Sequence, residues 1–122
     1  MNIQLDSNES HYQITRYQPG EIWMGETCYT ESLLITPTVL NPWAPQRVED
    51  LKTEHFESVI ATSPEIFILG TGKEAHMLDP ELFLPLYQLG IGIEVMDSLR
   101  AAYTFTLLSS EHRKVMVGMI IQ

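Results

Sequence analysis

The sequence has few of the residues that mark disulfide-stabilised, zinc-binding and nucleic-acid-binding proteins. Cys28 is its only cysteine, so the chain can form no intrachain disulfide and no zinc site built on paired thiols. Seven lysine and arginine residues stand against 16 aspartate and glutamate residues, which gives a net charge of −9. Because nucleic acids and anionic membrane surfaces attract clustered basic residues, we expect neither as a partner.

Long apolar runs are also missing. No run approaches the roughly 18–20 residues of a membrane-spanning helix, so we expect no membrane insertion. The first ten residues, MNIQLDSNES, have neither a basic start nor an apolar stretch, so we expect no secretory signal. The sequence therefore predicts a soluble, cytoplasmic protein, and a single cysteine is compatible with a reducing compartment.

The histidines lack the spacings of helical metal sites, since neither H-x-x-x-H nor H-E-x-x-H occurs. We therefore predict no metal site. The four histidines are His11, His55, His76 and His112.

The hydrophobic period changes near the middle of the chain. Short alternating segments before residue 40 predict strands, and two prolines within 40–46 predict a rigid loop. Beyond it, helical spacings alternate with apolar strand-like segments. We expect residues 1–10 to be a flexible N-terminus and residues 11–122 to form a single three-layer α/β domain. Its central mixed sheet would have antiparallel N-terminal strands followed by alternating helices and strands. The predicted helices are 48–61, 79–89 and 99–108, and the later strands are 65–69, 91–96 and 114–121.

The segment IFILGTGKEAH raises the question of a phosphate site. The P-loop pattern fails, because Phe67 stands where its first glycine should be and Glu74 where its Ser or Thr should be. The dinucleotide fingerprint G-x-G-x-x-[GA] is matched from Gly70 through Gly72 to Ala75, but the strongest helix start, Asp79-Pro80, comes several residues too late. We interpret the glycines as a sharp, helix-free exit from a buried strand and predict no nucleotide cofactor.

The carboxyl ends of strands in open α/β sheets are common ligand sites, so a cleft beside Gly70–Gly72 is a hypothesis of its own. Glu94 lies inside a predicted strand; it is interpreted first as a buried partner of Arg100 or Arg113, and second as an acid/base group in the cleft. Asp97 and Ser98 are predicted to cap the last helix. The candidate cleft residues, none of them assigned a catalytic role, are Gly70, Thr71, Gly72, His76, Glu94, Asp97, Ser98 and Arg100.

Several of these residues also carry a family resemblance that spans about residues 12–120. The sequence resembles a family pattern that reads L-G-T-G, then G-I-x-x-E-x-M-D-[ST], then a helix, and then E-x-R-x-V before a final strand. The segment SLLITPTVLNPWAP, which precedes these motifs, matches the family more loosely. The chain is similar to small proteins of archaea, bacteria and mitochondria whose best-known members are the mitochondrial complex I assembly factor 3 group and the adipogenesis-associated domain proteins. The matching segments are Leu69–Gly72, Gly90–Ile91, Glu94, Met96–Ser98 and Glu111–Val115.

The resemblance implies a three-layer α/β fold, a cleft beside the G-T-G turn and no established reaction. For the mitochondrial members it implies help in assembling respiratory complex I. The chain departs from the family where many relatives have R-T-[YF]-N, because residues 103–106 read YTFT; Arg100, one turn earlier, is a candidate for the missing charge.

We therefore expect a non-enzymatic accessory protein that binds an unidentified protein partner, in respiratory-complex assembly. The alternative is a small-ligand-binding protein or an unrecognised enzyme that uses the Gly70–Gly72 cleft. Self-association is left open.

Overall fold

A computed structural model describes residues 12–122. The predicted flexible segment 1–10 and His11 lie outside the described residues. The first part of the described chain is a three-stranded antiparallel sheet in the order β1-β2-β3. Its strands are β1 (Ile14–Gln18), β2 (Glu21–Met24) and β3 (Thr27–Tyr29).

The central layer is a mixed five-stranded sheet in the order β5-β4-β8-β6-β7. Strands β5, β4 and β8 pair antiparallel, and β8, β6 and β7 pair parallel. The bounds are β4 (Leu33–Ile35), β5 (Leu40–Pro42), β6 (Ile66–Thr71), β7 (Gly92–Met96) and β8 (Val115–Ile120). The predicted mixed sheet is confirmed.

The two central strands, β6 and β8, are covered on both faces, which is why they read as continuous apolar runs. On one face lie the three-stranded sheet and helix α3 (Ser98–Ser110). On the other lie helices α1 (Glu57–Thr62) and α2 (Leu84–Gln88), with Trp43 against the sheet. We call these the α3 face and the Trp43 face, and together with the sheet they make the predicted three layers.

Trp43 packs in the core of the Trp43 face. Its ring meets Phe56 and Phe67 edge-on at centroid distances of 6.0 and 6.3 Å, and its indole N–H donates to the His55 carbonyl at 3.0 Å. Gly118 of β8 makes room for it, because a Cβ there would lie 2.6 Å from the Trp43 ring. A glycine is therefore required in the middle of this buried strand.

Two sequence predictions are wrong in detail. Residues 40–42 form strand β5 rather than part of a loop, since they pair with β4 from Leu33↔Pro42 to Ile35↔Leu40. The predicted helix over 48–61 is an α-helix only at α1, and it is preceded by separate 3-10 turns at Val48–Asp50 and Thr53–Phe56. A 3-10 turn also occupies Pro80–Phe83, so Pro85 delays α2 as expected.

Candidate functional site

Strand β6 leaves the sheet without entering a helix. It ends at Thr71, Gly72 turns the chain with φ +92°, and no helical residue follows until Pro80. The Thr71 hydroxyl lies 2.6 Å from the Glu74 carbonyl oxygen and 3.1 Å from the Met96 carbonyl oxygen, and it can donate to either. The predicted helix-free exit is confirmed, and the helix N-terminus that a pyrophosphate needs is absent there.

Ser98, the first residue of α3, ties this exit to the neighbouring strands. Its hydroxyl accepts from the Gly72 N–H at 2.8 Å and donates to the Ile120 carbonyl at 2.5 Å, while its own N–H donates to the Gly72 carbonyl at 2.8 Å. The side chain is fully buried. Ser98 therefore joins the ends of β6 and β8 to the first turn of α3.

Both glycines at this exit are required, each by a different neighbour. A Cβ on Gly70 would lie 2.7 Å from the Ser98 hydroxyl oxygen and 3.0 Å from the Ala101 side chain. A Cβ on Gly72 would collide with the Gln122 carbonyl oxygen, and its positive φ already disfavours other residues. Gly70 therefore lets α3 approach the sheet, and Gly72 lets the chain turn beside Gln122.

Asp97 caps α3, as predicted. Its carboxylate accepts from the Arg100 N–H at 2.9 Å and lies 3.6 Å from the Arg100 side-chain Nε. The carboxylate therefore occupies the position at which a helix N-terminus binds an external anion. The Arg100 side chain pairs with this capping carboxylate at the protein surface.

Tyr17, which sequence reasoning missed, lies beside the same cap. Its hydroxyl is 3.4 Å from the Ile121 carbonyl oxygen, to which it donates. Burial, followed by the nearby Asp97 carboxylate, raises the pKa of Tyr17, and the neighbouring Ser98 hydroxyl opposes the rise in part. Nothing in an alternating strand sequence shows that β1 ends against α3.

The predicted burial of Glu94 against an arginine is wrong. Glu94 is exposed on β7, the outermost strand of the sheet, while Arg100 pairs with Asp97 and Arg113 donates to Glu65 at 2.9 Å. Burial of Glu94 would require β7 to be covered on both faces. A strand at the sheet edge leaves a carboxylate in water, where it needs no partner.

His76 is exposed in the loop after Gly72 and shares a cleft of about 210 Å³ with Thr71, on the Trp43 face. Arg47, Glu49 and Gln122 complete its polar wall. Glu94, Asp97 and Arg100 do not line this cleft, and Gly70 and Ser98 lie at the buried junction with α3. The structure thus separates the sequence-predicted residues into a cleft, a junction, a helix cap and a sheet edge.

A different surface stands out on α3. Leu99, Tyr103 and Leu107 follow one another at intervals of four residues and are all exposed, Tyr103 to 70%. No charged residue occurs from Ala101 to Ser110, in a chain whose net charge is −9. We call this row the α3 stripe. The sequence signal for it is the run AAYTFTLLSS, which has no charged residue on any side of a helix of 13 residues.

Strand β7 adds a free sheet edge. The Gly92 N–H donates to the Glu65 carbonyl next to β6, so alternate residues of β7 direct their backbone groups towards β6. The backbone N–H and C=O groups of Ile93 and Val95 therefore point away from the sheet. Among residues 12–122, no strand pairs with this side of β7.

The described residues contain neither a cluster of three potential metal ligands nor a helix that could span a membrane. Residues 14–120 match the family model described as "Protein of unknown function (DUF498/DUF598)". The chain belongs to this family. The match runs from the first residue of β1 to the last of β8, so the family is defined by the whole two-core fold.

Two relatives carry different names. The chain is 29% identical over 120 residues to NADH dehydrogenase [ubiquinone] 1 alpha subcomplex assembly factor 3 of Xenopus tropicalis, covering 97% of this chain and 65% of that protein. It is 24% identical over 117 residues to the 13 kDa major membrane protein of Francisella tularensis, covering 94% and 95%. The chain spans between about half and two thirds of the length of the assembly-factor relatives it matches.

The fold is also that of a solved structure from the bacterium Bordetella parapertussis. The TM-score is 0.86 at 29% identity, with 93% of this chain and 98% of that chain covered. Both the α/β architecture and the resemblance to assembly factor 3 proteins are thus supported by independent relatives.

Proposed function

We propose that this chain is a non-catalytic accessory protein that binds other proteins through the α3 stripe and assists the assembly of a complex I-type respiratory enzyme. The observation that carries the proposal is the exposed apolar row Leu99, Tyr103 and Leu107, on a helix that has no charged residue from Ala101 to Ser110. Contiguous exposed apolar surface of this kind marks protein interfaces in soluble folds. The relatives named as complex I assembly factors supply the class of partner.

The free edge of β7 supports the same proposal. The outward backbone groups of Ile93 and Val95 can pair with an added strand, a common mode of protein recognition. Glu94 stands between them, and two copies paired about this residue would bring like charges together. The edge therefore favours a different protein over a second copy of this chain.

We place this role in the cytoplasm, where Cys28 stays a thiol. One relative is named a membrane protein, so cell fractionation is the direct check. Recovery of the untagged chain mainly with membranes after a high-salt wash would contradict the cytoplasmic assignment.

Deletion and complementation in the source organism test the assembly role. We expect deletion to reduce assembled complex I on native gels, and the wild-type chain to restore it. The double variant Tyr103→Ser/Leu107→Ser should fail to restore it, because both changes remove apolar contact area from the α3 stripe. Tyr87→Ser is the matched control, since Tyr87 is an exposed tyrosine on α2.

Two results would contradict the proposal. The first is an unchanged level of complex I after deletion. The second is full restoration by the double variant, once circular dichroism shows that it is folded. Light scattering on the purified chain then separates a stripe used for self-association from one used for another protein.

A further inference from the structure

A cavity with an apolar wall and a polar end lies at the opposite end of the sheet from the glycine turn. It has a volume of about 330 Å³ and lies beside the first residues of β8 and Pro64, between the β4–β5 hairpin and α1. This volume falls within the range of small-molecule sites. Its apolar wall consists of Leu34, Pro37, Val39, Pro64, Val115 and Met116.

The charge of this cavity is the reverse of the charge of the protein. Two of the chain's seven basic residues, Arg113 and Lys114, line it, and none of its 16 acidic residues does. Glu65, outside the cavity, accepts a hydrogen bond from Arg113 and offsets that charge. Lys114 has no ion-pair partner among the described carboxylates, so it is the cation left available to a ligand.

The backbone holds Lys114 in place at the cavity mouth. Its carbonyl accepts from the N–H groups of Glu65 and Ile66 at 2.8 and 3.2 Å. Leu34 and Met116, which line the cavity, belong to the core of the Trp43 face. The cavity opens on that face.

Neutral donors complete the polar end. The Thr36 hydroxyl oxygen accepts from the N–H groups of Thr38 and Val39 at 3.2 and 2.9 Å, which leaves its own proton free to donate. Further hydroxyl and amide groups come from Thr38, Asn41, Ser58 and Thr62. One ammonium with several neutral donors suits a single negative charge, and the apolar wall suits a hydrocarbon group.

We propose that this cavity binds a small amphipathic monocarboxylate, with its carboxylate at Lys114 and its apolar tail against Val39, Pro64 and Met116. The neighbouring cleft sharpens the selectivity. It shares Leu34, Asn41 and Ser58 with the cavity and carries Glu54 and Glu57. A second carboxylate at the far end of the ligand would approach these acids, so a monocarboxylate is preferred to a dicarboxylate of equal length.

The test titrates the ¹⁵N-labelled full chain with three eight-carbon probes: octanoate, octylammonium and octanedioate. We expect saturable amide shifts from octanoate at Val39, Thr62 and Val115, and binding by the other two that is at least about tenfold weaker. Lys114→Met should weaken octanoate binding by about tenfold or more, because it removes the charged partner of the carboxylate. Lys73→Met is the matched control, an exposed lysine at the other end of β6.

A second variant keeps the charge and fills the space. Thr62 is exposed at the end of α1, so Thr62→Trp should abolish the octanoate shifts while leaving the thermal midpoint nearly unchanged. Equal binding of octanoate and octylammonium would overturn the proposal. So would octanoate binding that survives both Lys114→Met and Thr62→Trp, or the absence of any saturable shift up to the solubility limit of octanoate.

Discussion

The hydroxyl of Ser98 offers a sharp test of the junction between β6 and α3. Ser98→Ala removes the atom that accepts from the Gly72 N–H and donates to the Ile120 carbonyl. Both backbone groups belong to buried residues. The Asp97 cap of α3 is unaffected, so the change isolates the link between the helix and the strand ends.

The expected cost follows from the two groups left without partners. A buried donor or acceptor that loses its hydrogen bond costs about 1–3 kcal/mol. Two such groups give about 2–6 kcal/mol, and the better helix propensity of alanine returns only about 0.5 kcal/mol. We expect a loss of about 3 kcal/mol in the free energy of unfolding. Domains of this kind are stable by about 5–15 kcal/mol in total, so this loss is a large share.

Urea unfolding followed by circular dichroism measures the change. With an m-value of about 2 kcal/mol/M, a loss of about 3 kcal/mol lowers the midpoint by about 1.5 M. Ser110→Ala is the matched control: this exposed hydroxyl, at the other end of α3, donates to the Leu107 carbonyl at 2.7 Å. Its removal should change the free energy by no more than about 0.5 kcal/mol.

A loss below about 1 kcal/mol for Ser98→Ala, with an unchanged m-value, would refute this reasoning. The glycines would then be required only for the shape of the turn, and the hydroxyl would be replaceable. A loss that Ser110→Ala reproduces would also refute it, because the effect would then belong to α3 as a whole.

The other predictions concern packing, surface charge and pH. Gly118→Ala should lose about 1–3 kcal/mol in urea unfolding, since its Cβ would overlap the Trp43 ring; a neutral result would mean that Trp43 has room to move. Glu94→Gln should change stability by less than about 0.5 kcal/mol, and a larger loss would show a partner for this edge carboxylate. The hydrogen bond from Arg113 lowers the pKa of Glu65 in the folded protein. The stability that this pairing contributes is therefore fully present above the unfolded pKa of about 4.5, and it is lost as the pH falls through the lower pKa of the folded state. Unfolding measured from neutral to acidic pH should therefore show a shallower decline in Glu65→Gln than in wild type, and equal declines would contradict the pairing.

The parts of the fold predicted correctly are those that local chemistry determines. The buried strands β6 and β8 are continuous apolar runs. The N-terminal cap of α3 is indicated by Asp97, which directly precedes Ser98. The helix-free exit followed from the distance between Gly72 and the next helix start. Each signal lies within a few residues of the structure it specifies, so one sequence was sufficient.

The incorrect predictions concern segments whose structure depends on contacts with residues far away in the sequence. Pro42 is tolerated in β5 because this strand lies at the sheet edge, and only pairing with Leu33 makes the segment a strand. Over 48–61 the apolar spacing fits 3-10 turns as well as an α-helix. There the His55 side chain accepts from the Lys52 N–H at 2.9 Å and closes a short turn. The exposure of Glu94 likewise depends on the position of β7 in the sheet, which its own sequence does not encode.

The sequence-predicted cleft residues do not form one site, for a related reason. Three of the residues that carry the resemblance, Gly70, Gly72 and Ser98, join α3 to the sheet and close the C-terminal end of β6. The surfaces that remain open for binding lie elsewhere: the α3 stripe, the edge of β7 and the cavity at Lys114. Tyr103 lies outside this junction and is exposed to 70%. A change at that position alters what the protein can contact without disturbing the junction, so relatives that share the glycine turn can differ in their partners.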